Sequence, residues 1–310
     1  MKVCFIGLGS IGSRHCRNVK EICAAEGIPV TIHAVRTSDR PLSESLQELG
    51  LITLHSYEEM DRDYDAIFIT NPTALHYDAL LRVGDKAACF FIEKPVFERE
   101  EEESVLPLRP DAKTYVAAPL RYTGAVQAAR EIVEKHRIYC ARAISSSYLP
   151  DWRPGVDYRK VYSARRDQGG GVSIDLIHEW DYLTMLFGFP KRVSSVIGRY
   201  SDLEIDSDDL AIYVASYPDK AVEVHLDYFG RKTVRQLELF TQEGTYLCDI
   251  AGAKVRYPDG TEICFQEQPN DKYLAEMRYF LSLVKGERKT SANSIRHAQD
   301  VLKLTKGEWT

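Results

Sequence analysis

"KVCFIGLGSIGSRH", residues 2–15, decides how this chain is read. An apolar run closes on Ile6, glycines stand at 7, 9 and 12, and a helical pattern continues until Gly27 and Pro29 stop it. Strand, glycine turn and helix in that order make an anion cradle. The glycines permit a tight turn and let backbone N–H groups approach a pyrophosphate, and the helix N-terminus adds partial positive charge. Glycines in a turn can also serve packing alone. Here the motif sits at the first strand–helix junction and a second strand, "VTIHAVR" (30–36), follows at the right distance, so dinucleotide binding is the expectation. Gly7, Gly9, Ser10, Ile11 and Gly12 are its expected contacts.

The end of that second strand distinguishes two cofactors. An acid there holds the ribose 2′-hydroxyl of NAD, whereas an arginine suits the 2′-phosphate of NADP. Arg36 stands at this point, followed by Thr37, Ser38, Asp39 and Arg40. The expectation is NADP in preference to NAD, with Arg36, Thr37 and Ser38 as contacts. The alternative is that Arg36 stacks on adenine while Asp39 serves the ribose.

Outward from the motif, short apolar runs alternate with helical patterns: "LITLH" (51–55), "YDAIFITN" (64–71), "AACFFIE" (87–93) and "KTYVAAP" (113–119), with "LSESLQELG" (42–50) and "TALHYDALLRVG" (73–84) between them. That alternation predicts a doubly wound parallel sheet. "EREEEES" (98–104) reads as an exposed acidic turn of helix. Beyond a helix at 123–135 the chain turns strand-rich, from "IYCARAISSSYLP" (138–150) through "RVSSVIGRY", "DLAIYVASY", "AVEVHLDYF" and "VRQLELFT" to "TYLCDI" (245–250), and it closes on two helical patterns. Strands in series predict a largely antiparallel sheet with one face covered by helices. The fold class is therefore an α/β N-terminal Rossmann domain, residues 1–118, and an α+β C-terminal domain with a largely antiparallel open sheet, residues 119–310.

Composition narrows the function classes. The 310 residues are 44% hydrophobic and 28% charged, ordinary values for a globular chain of about two domains. A formal charge of −6 gives no basic surface for nucleic acid. No apolar run approaches the roughly 18 residues that span a bilayer. The N-terminus lacks a signal-peptide layout. Seven cysteines, irregularly spaced and without a CxxC pair, read as reduced thiols of a cytoplasmic protein and offer no zinc spacing.

Chemistry gathers at the strand ends. In a doubly wound sheet the carboxyl ends of the strands line the ligand crevice, which places Gly7, Asn71 of "TNPTALH" and Lys94 of "EKPV" along one edge. Pro95 keeps Lys94 out of a helical conformation. An extended lysine beside the nicotinamide can hydrogen-bond the oxygen of a reacting alcohol or carbonyl and so assist proton movement with hydride transfer. The alternative is a surface lysine capping a strand. Further along stands "GGGVSIDLIHEWDYL" (169–183). At about 100° per residue, Leu176, Trp180, Leu183 and Phe187 share one stripe, and Asp175, His178, Asp181 and Tyr182 fall opposite. The polar set is expected to face the crevice, and the glycines are expected to bring backbone close to a ligand. A solvated amphipathic helix is the competing reading. A histidine among acids titrates near neutrality.

"FIGLGSIGSRH", "TNPTALH", "EKPV", "LRYTGAVQAAR" and "GGGVSIDLIHEWDYLTMLFG", in this order, resemble the glucose–fructose oxidoreductase/inositol dehydrogenase (Gfo/Idh/MocA) family. The resemblance implies an NAD(P)-dependent oxidoreductase acting on a sugar, polyol or derivative. It implies Lys94, His178 and Asp175 as catalytic residues, with cofactor contacts from Asn71, Pro72, His76 and Glu93. It also implies substrate contacts from Lys94, Arg121, Tyr122, Asp175, His178 and Asp181, and a second domain that joins a homodimer or homotetramer through its sheet. The chain departs from the pattern twice. Only Leu176 and Ile177 separate Asp175 from His178, where many members have three residues, and Pro119 and Leu120 stand where a polar residue often precedes the arginine.

The loop "LPDWRPGVDYRKVYSARRDQ" (149–168) is rich in Arg, Tyr and Trp. Arg153, Tyr158, Arg159, Tyr162, Arg165 and Arg166 are expected to cover the substrate, with Arg153, Tyr158 and Tyr162 as its contacts. Arginine pairs well with carboxylate or phosphate, so the expected substrate is a nucleotide sugar or an acidic sugar of surface polysaccharide synthesis. An inter-subunit loop is the alternative. Two other function classes compete with the dehydrogenase: a glycoside hydrolase using transient oxidation on a tightly held nicotinamide, and a non-catalytic NADP-binding regulator.

Overall fold

The computed structural model describes residues 1–36 and 41–309, with the side chain of Ser45 excepted. A six-stranded parallel sheet holds β1 (Lys2–Ile6), β2 (Thr31–Val35), β3 (Ile52–Leu54), β4 (Tyr64–Ile69), β5 (Ala87–Ile92) and β6 (Lys113–Val116) in the order β3-β2-β1-β4-β5-β6. Helices α1 (Ser10–Ala25), α2 (Glu44–Gln47) and α3 (His76–Val83) connect these strands. The order reverses between β1 and β4, which is the switch point of a doubly wound sheet. The chain continues through α4 (Gly124–Lys135), β7 (Cys140–Tyr148), α5 (Val172–Asp175) and α6 (His178–Phe187). Next come β8 (Arg192–Gly198), β9 (Leu210–Ser216), β10 (Ala221–Asp227), β11 (Phe229–Thr241) and β12 (Gly244–Asp249). The last elements are β13 (Lys254–Arg256), β14 (Glu262–Cys264), α7 (Asp271–Val284) and α8 (Ile295–Thr305).

The chain groups into two compact units, Met1–Pro119 with Lys272–Gln299, and Leu120–Asp271 with Asp300–Thr310. In the first unit the parallel strands read as unbroken apolar runs because both faces are buried. Side chains alternate across the sheet. Cys4, Ile6, Ile67, Ile69, Phe90 and Ile92 pack with Ala79, Leu80 and Val83 of α3. Phe5, Phe68, Phe91 and Tyr115 face the other way, where Phe280 of α7 meets Phe68 and Phe91 at 5.3 Å between ring centroids. Asn293 closes the edge beyond β6, its carbonyl accepting from Val116 N at 2.8 Å and its Nδ2 donating to Val116 O at 2.9 Å. The sequence reading had grouped residues 272–299 with the second domain. Their packing partners, some 160 to 260 positions earlier in the chain, are set by tertiary contact and leave no local signal.

The second unit is built on an eight-stranded sheet ordered β14-β13-β12-β11-β7-β10-β9-β8. Every pairing is antiparallel except that of β7 with β10. Its buried face carries Ala141, Ala143, Ala211, Tyr213, Ala215, Val222, Val224, Leu237 and Leu239, and Ala125, Val126, Ala129 and Ile132 of α4 join this core with Trp180 and Leu183 of α6. Trp180 meets Tyr213 edge to face at 5.4 Å. Strands β13 and β14, three residues each, flank the "YPDG" turn (257–260) and are too short to show a period in the sequence. The acidic stretch 98–104 forms only a three-residue 3₁₀ turn at Glu103–Val105 in place of the expected turn of α-helix. Among the described residues no helix is long and apolar enough to cross a membrane.

Candidate active site

Gly7, Gly9 and Gly12 fall where β1 feeds α1. Gly7 takes φ +94°, and a Cβ on it would sit 2.9 Å from the backbone of Asn71. A Cβ on Gly12 would sit 2.5 Å from the carbonyl oxygen of Gly7. Thr70 closes the same corner, its Oγ1 donating to Gly7 O at 2.6 Å. These two glycines are therefore spoken for by the fold itself. Gly9 differs: nothing lies within 4 Å of a Cβ placed there, and it caps α1 with no side-chain hydrogen bond and no acid in the first turn. Open space over an uncapped helix N-terminus fits a pyrophosphate. Ser10 and Ile11 open the helix at the rim of that space, with Ser10 exposed.

This division of labour makes a prediction. Gly9 has φ −67°, which alanine adopts without strain, so Gly9→Ala is expected to keep the wild-type Tm. Its NADH affinity is expected to fall about tenfold, the worth of one charge-assisted hydrogen bond. Gly12→Ala is expected to lower stability by about 1–3 kcal/mol through overpacking. Thermal melts and fluorescence titration with NADH separate the two effects.

Arg36 follows β2, its N–H held by Leu54 O at 2.9 Å. Thr37 and Ser38, with Asp39 and Arg40, lie outside the described residues. Asn71 follows β4. Its Nδ2 donates to Leu75 O at 3.3 Å, while its buried Oδ1 has no partner in the structure. An orphaned amide oxygen beside the glycine turn fits a donor on a bound cofactor. Pro72, at the start of the next turn, is exposed. His76 is placed otherwise than expected. It is 1% exposed, and its Nε2 and Nδ1 lie 2.9 Å from Asn71 O and 3.1 Å from Val96 O. Burial pulls its pKa down against those two carbonyls; a neutral ring carries one N–H and can donate to only one of them, and the ring stands between the turn after β4 and the turn after β5.

The turn after β5 carries Glu93 and Lys94, with a cis peptide between Lys94 and Pro95. Both residues are half-buried. Glu93 Oε1 lies 2.6 Å from His15 Nε2 and Oε2 accepts from Lys94 N at 3.2 Å. The carboxylate expected at the cofactor is thus engaged by the protein, and Lys94 sits on the peptide it holds.

In the second unit the stretch 169–183 is two helices, not one. Leu176 takes φ −97°, ψ 25°, ending α5, and α6 restarts at His178. A single helical wheel therefore does not run through it. Asp175 and His178 belong to different helices. The glycines also serve another purpose than expected: a Cβ on Gly170 would meet Tyr162 O at 2.0 Å and one on Gly171 would meet Asp208 Oδ1 at 2.2 Å. Gly170 and Gly171 thus pack closely against the chain itself, at Tyr162 and Asp208.

Helix α6 is buried on nearly every side from Glu179 to Thr184, which removes the solvated-helix reading. Tyr182, expected on the crevice face, is 0% exposed within the core. Glu179 is equally buried, with Arg235 Nε 2.8 Å from its Oε1. Burial pushes the Glu179 carboxyl up, against the pull of Arg235. Asp181 and Arg121, both expected at the substrate, meet each other: Nε donates to Oδ2 at 2.8 Å and Nη2 to Oδ1 at 2.9 Å, both residues being buried. Asp175 is also buried, and its Oδ2 accepts from Tyr228 Oη at 2.6 Å. The Tyr162 hydroxyl bonds the same carboxylate, and burial followed by that negative charge raises the pKa of Tyr162. His178 and Tyr122 remain half-buried. Tyr228 and Glu179 were missed in the sequence. Tyr228 sits in a strand-to-strand bend that looks like any other, and its importance arises only from a contact with a residue far away in the chain.

The loop 149–168 folds into short 3₁₀ turns. Leu149, Trp152, Arg153, Val156 and Tyr158 line a shallow depression within it. The arginine charge of the loop is partly neutralised at home. Arg159 pairs with Asp157 at 2.8 Å and Glu204 at 2.9 Å, and Arg165 pairs with Asp167 at 3.4 Å. Arg153 lies over the Tyr162 ring at 5.6 Å, and Tyr158 Oη accepts from Glu204 N at 3.2 Å.

Comparison with known proteins agrees with this architecture. Residues 1–108 match the family model described as oxidoreductase family (GFO/IDH/MocA), NAD-binding Rossmann fold, and residues 126–247 match the GFO/IDH/MocA C-terminal domain. A myo-inositol 2-dehydrogenase of Thermotoga maritima is 25% identical over 92% of this chain and 88% of its own length. Among solved structures, a levoglucosan dehydrogenase in complex with NADH superposes with TM-score 0.82 at 15% identity, covering 99% of this chain and 95% of the other. A UDP-N-acetylglucosamine 3-dehydrogenase from Acidithiobacillus ferrooxidans gives 0.78 at 18%, covering 100% and 96%. With a glycine turn shaped for a dinucleotide and both of its domains matched, the chain belongs to the GFO/IDH/MocA oxidoreductase family.

Proposed function

We propose that this protein moves a hydride between a nicotinamide cofactor and a secondary alcohol or ketone carbon of a sugar, polyol or sugar derivative. The observation that carries this reading is Lys94, presented on the EKP turn at the same sheet edge as the open Gly9 turn and the orphaned Asn71 Oδ1. When bound, the nicotinamide supplies the hydride acceptor or donor. The remaining work falls to the chain's own residues. Lys94 hydrogen-bonds the reacting oxygen and takes or returns its proton as the C–O bond order changes. His178, at the first position of α6, serves as the second proton-handling group. Asp175 orients the substrate side from a carboxylate already fixed by the Tyr228 and Tyr162 hydroxyls. We assign Arg121 and Asp181 to holding the start of α4 against α6. Arg153 is the loop cation we assign to a carboxylate or phosphate on the substrate.

The test is a screen with NAD⁺ and NADP⁺ against myo-inositol, levoglucosan, UDP-N-acetylglucosamine and sugar acids, following reduced nicotinamide. Oxidation of at least one of these is expected. Oxidation of neutral polyols alone would defeat the assignment of Arg153. A product formed with no net change in nicotinamide would favour transient oxidation.

Within that function we assign a preference for NADP(H) to Arg36. Replacing Arg36 by alanine is expected to weaken NADPH binding about tenfold, the worth of one charged hydrogen bond, and to leave NADH binding little changed. An NADH preference that survives the substitution overturns the assignment. We also propose a homodimer or homotetramer formed through the sheet of the second unit, because Val196 of β8 and Val214 of β9 stand 51% and 53% exposed on neighbouring strands. Light scattering after size exclusion is expected to show an oligomer that Val214→Lys dissociates; a wild-type monomer refutes it.

A further inference from the structure

His15 is 0% exposed on α1, five residues beyond the first helical position. Its ring packs against Phe91 at 4.8 Å and Tyr273 at 6.2 Å. Nδ1 has no hydrogen-bond partner in the structure, and Nε2 lies 2.6 Å from Glu93 Oε1. A cationic imidazole would bury an unsatisfied N–H at Nδ1, whereas the neutral Nε2–H tautomer leaves only a lone pair there. His15 Nε2 is therefore the nitrogen that donates to the Glu93 carboxylate. Burial alone would raise the Glu93 carboxyl, but His15 and Lys94 outweigh it and hold it below the ordinary range. The second oxygen of that carboxylate accepts from the N–H of Lys94 at 3.2 Å. On the far side of the turn His76 reaches Val96 O at 3.1 Å.

We propose that His15 is a positioning residue for Lys94: through Glu93 it ties the helix that follows the dinucleotide turn to the peptide that carries the lysine. The inference rests on the reading of Lys94 as a proton-handling group. A half-buried carboxylate that accepts from two fixed donors has little freedom to rotate. Removing one donor releases it, and the lysine with it. His15 itself, walled in by aromatic rings, touches neither cofactor nor substrate.

The experiment compares wild type with His15→Gln, His15→Leu and Glu93→Gln. Its first readout needs no substrate: the rate at which acetic anhydride acetylates the Lys94 amine, followed by mass spectrometry, with exposed Lys160 and Lys191 as references. In His15→Leu and Glu93→Gln, Lys94 is expected to be labelled several-fold faster with the references unchanged. His15→Gln, whose amide N–H can still reach Glu93, is expected to label as wild type does. In turnover of whichever screened alcohol the wild type oxidises, His15→Leu is expected to lose about 100-fold in kcat, the scale of a misplaced reacting group. Its KM and NADH affinity should stay near wild type, and His15→Gln should recover most of the loss. Unchanged Lys94 labelling in both His15→Leu and Glu93→Gln overturns the proposal, as does a His15→Gln protein labelled as fast as His15→Leu. Should His15→Leu fail to fold, Glu93→Gln leaves the aromatic core intact and carries the same test. Wild-type turnover in Lys94→Ala would sink the functional reading while leaving the labelling result to stand on its own.

Discussion

Replacing Lys94 by alanine is expected to lower turnover by about 10²–10⁴-fold, the range of a lost general acid or base, while NADH affinity stays near wild type. The two effects separate because the groups that shape the cofactor turn are elsewhere. Gly7, Gly9 and Thr70 form it from backbone and one hydroxyl, and α1 supplies its uncapped N-terminus. We assign the Lys94 side chain to the reacting oxygen, and its peptide N–H donates to Glu93. Alanine keeps that N–H. Steady-state kinetics on an alcohol from the screen, paired with NADH titration, gives the answer. Equal loss of turnover and cofactor binding in a folded protein would contradict the division of roles. Undiminished function would instead support a non-catalytic nicotinamide-binding regulator.

Asp181→Ala is expected to destabilise the second unit by about 3–5 kcal/mol, because it strands a buried guanidinium without its counter-charge. The pair is bidentate, with Arg121 Nε and Nη2 at 2.8 and 2.9 Å from the two carboxylate oxygens, and neither residue reaches 10% exposure. Joint replacement, Arg121→Leu with Asp181→Leu, is expected to recover most of the loss, since it removes both desolvated charges at once. Urea unfolding measures both. A substrate-contact role predicts something else: alanine at either position would raise KM for the alcohol and leave the unfolding midpoint in place. That outcome would restore the crevice-facing placement of these residues read from the sequence.

The first unit was legible in the chain to a useful depth. The glycine spacing, the apolar runs and the strand-end motifs are all local, and a parallel sheet buried on both faces writes itself as unbroken apolar strands. Even so, two histidines in those motifs changed meaning. His76 resembled a cofactor contact and is sealed between two backbone carbonyls. His15 passed as part of a motif and is a buried donor to Glu93. The helix that carries His178 was less legible. Periodicity separated an apolar stripe from a polar one, but that inference assumes one continuous helix with one wet side. The break at Leu176 and the burial of Glu179, Asp181 and Tyr182 remove both assumptions.

What the sequence determined alone is whatever depends on neighbours along the chain: the strand–turn–helix that shapes the dinucleotide turn, the placement of Lys94 just past a strand, the two sheet classes, and five family motifs in order. What only the tertiary structure decided is the pairing of groups far apart in sequence. Arg121 closes on Asp181, Tyr228 on Asp175, Arg235 on Glu179 and His15 on Glu93. Each residue, read singly, is a polar group suited to a substrate. A buried charge or hydroxyl must find a partner, and which partner it finds depends on how the chain folds back. That choice decides which polar groups hold one another, Asp175 among them, and it cannot be read from any of these residues singly.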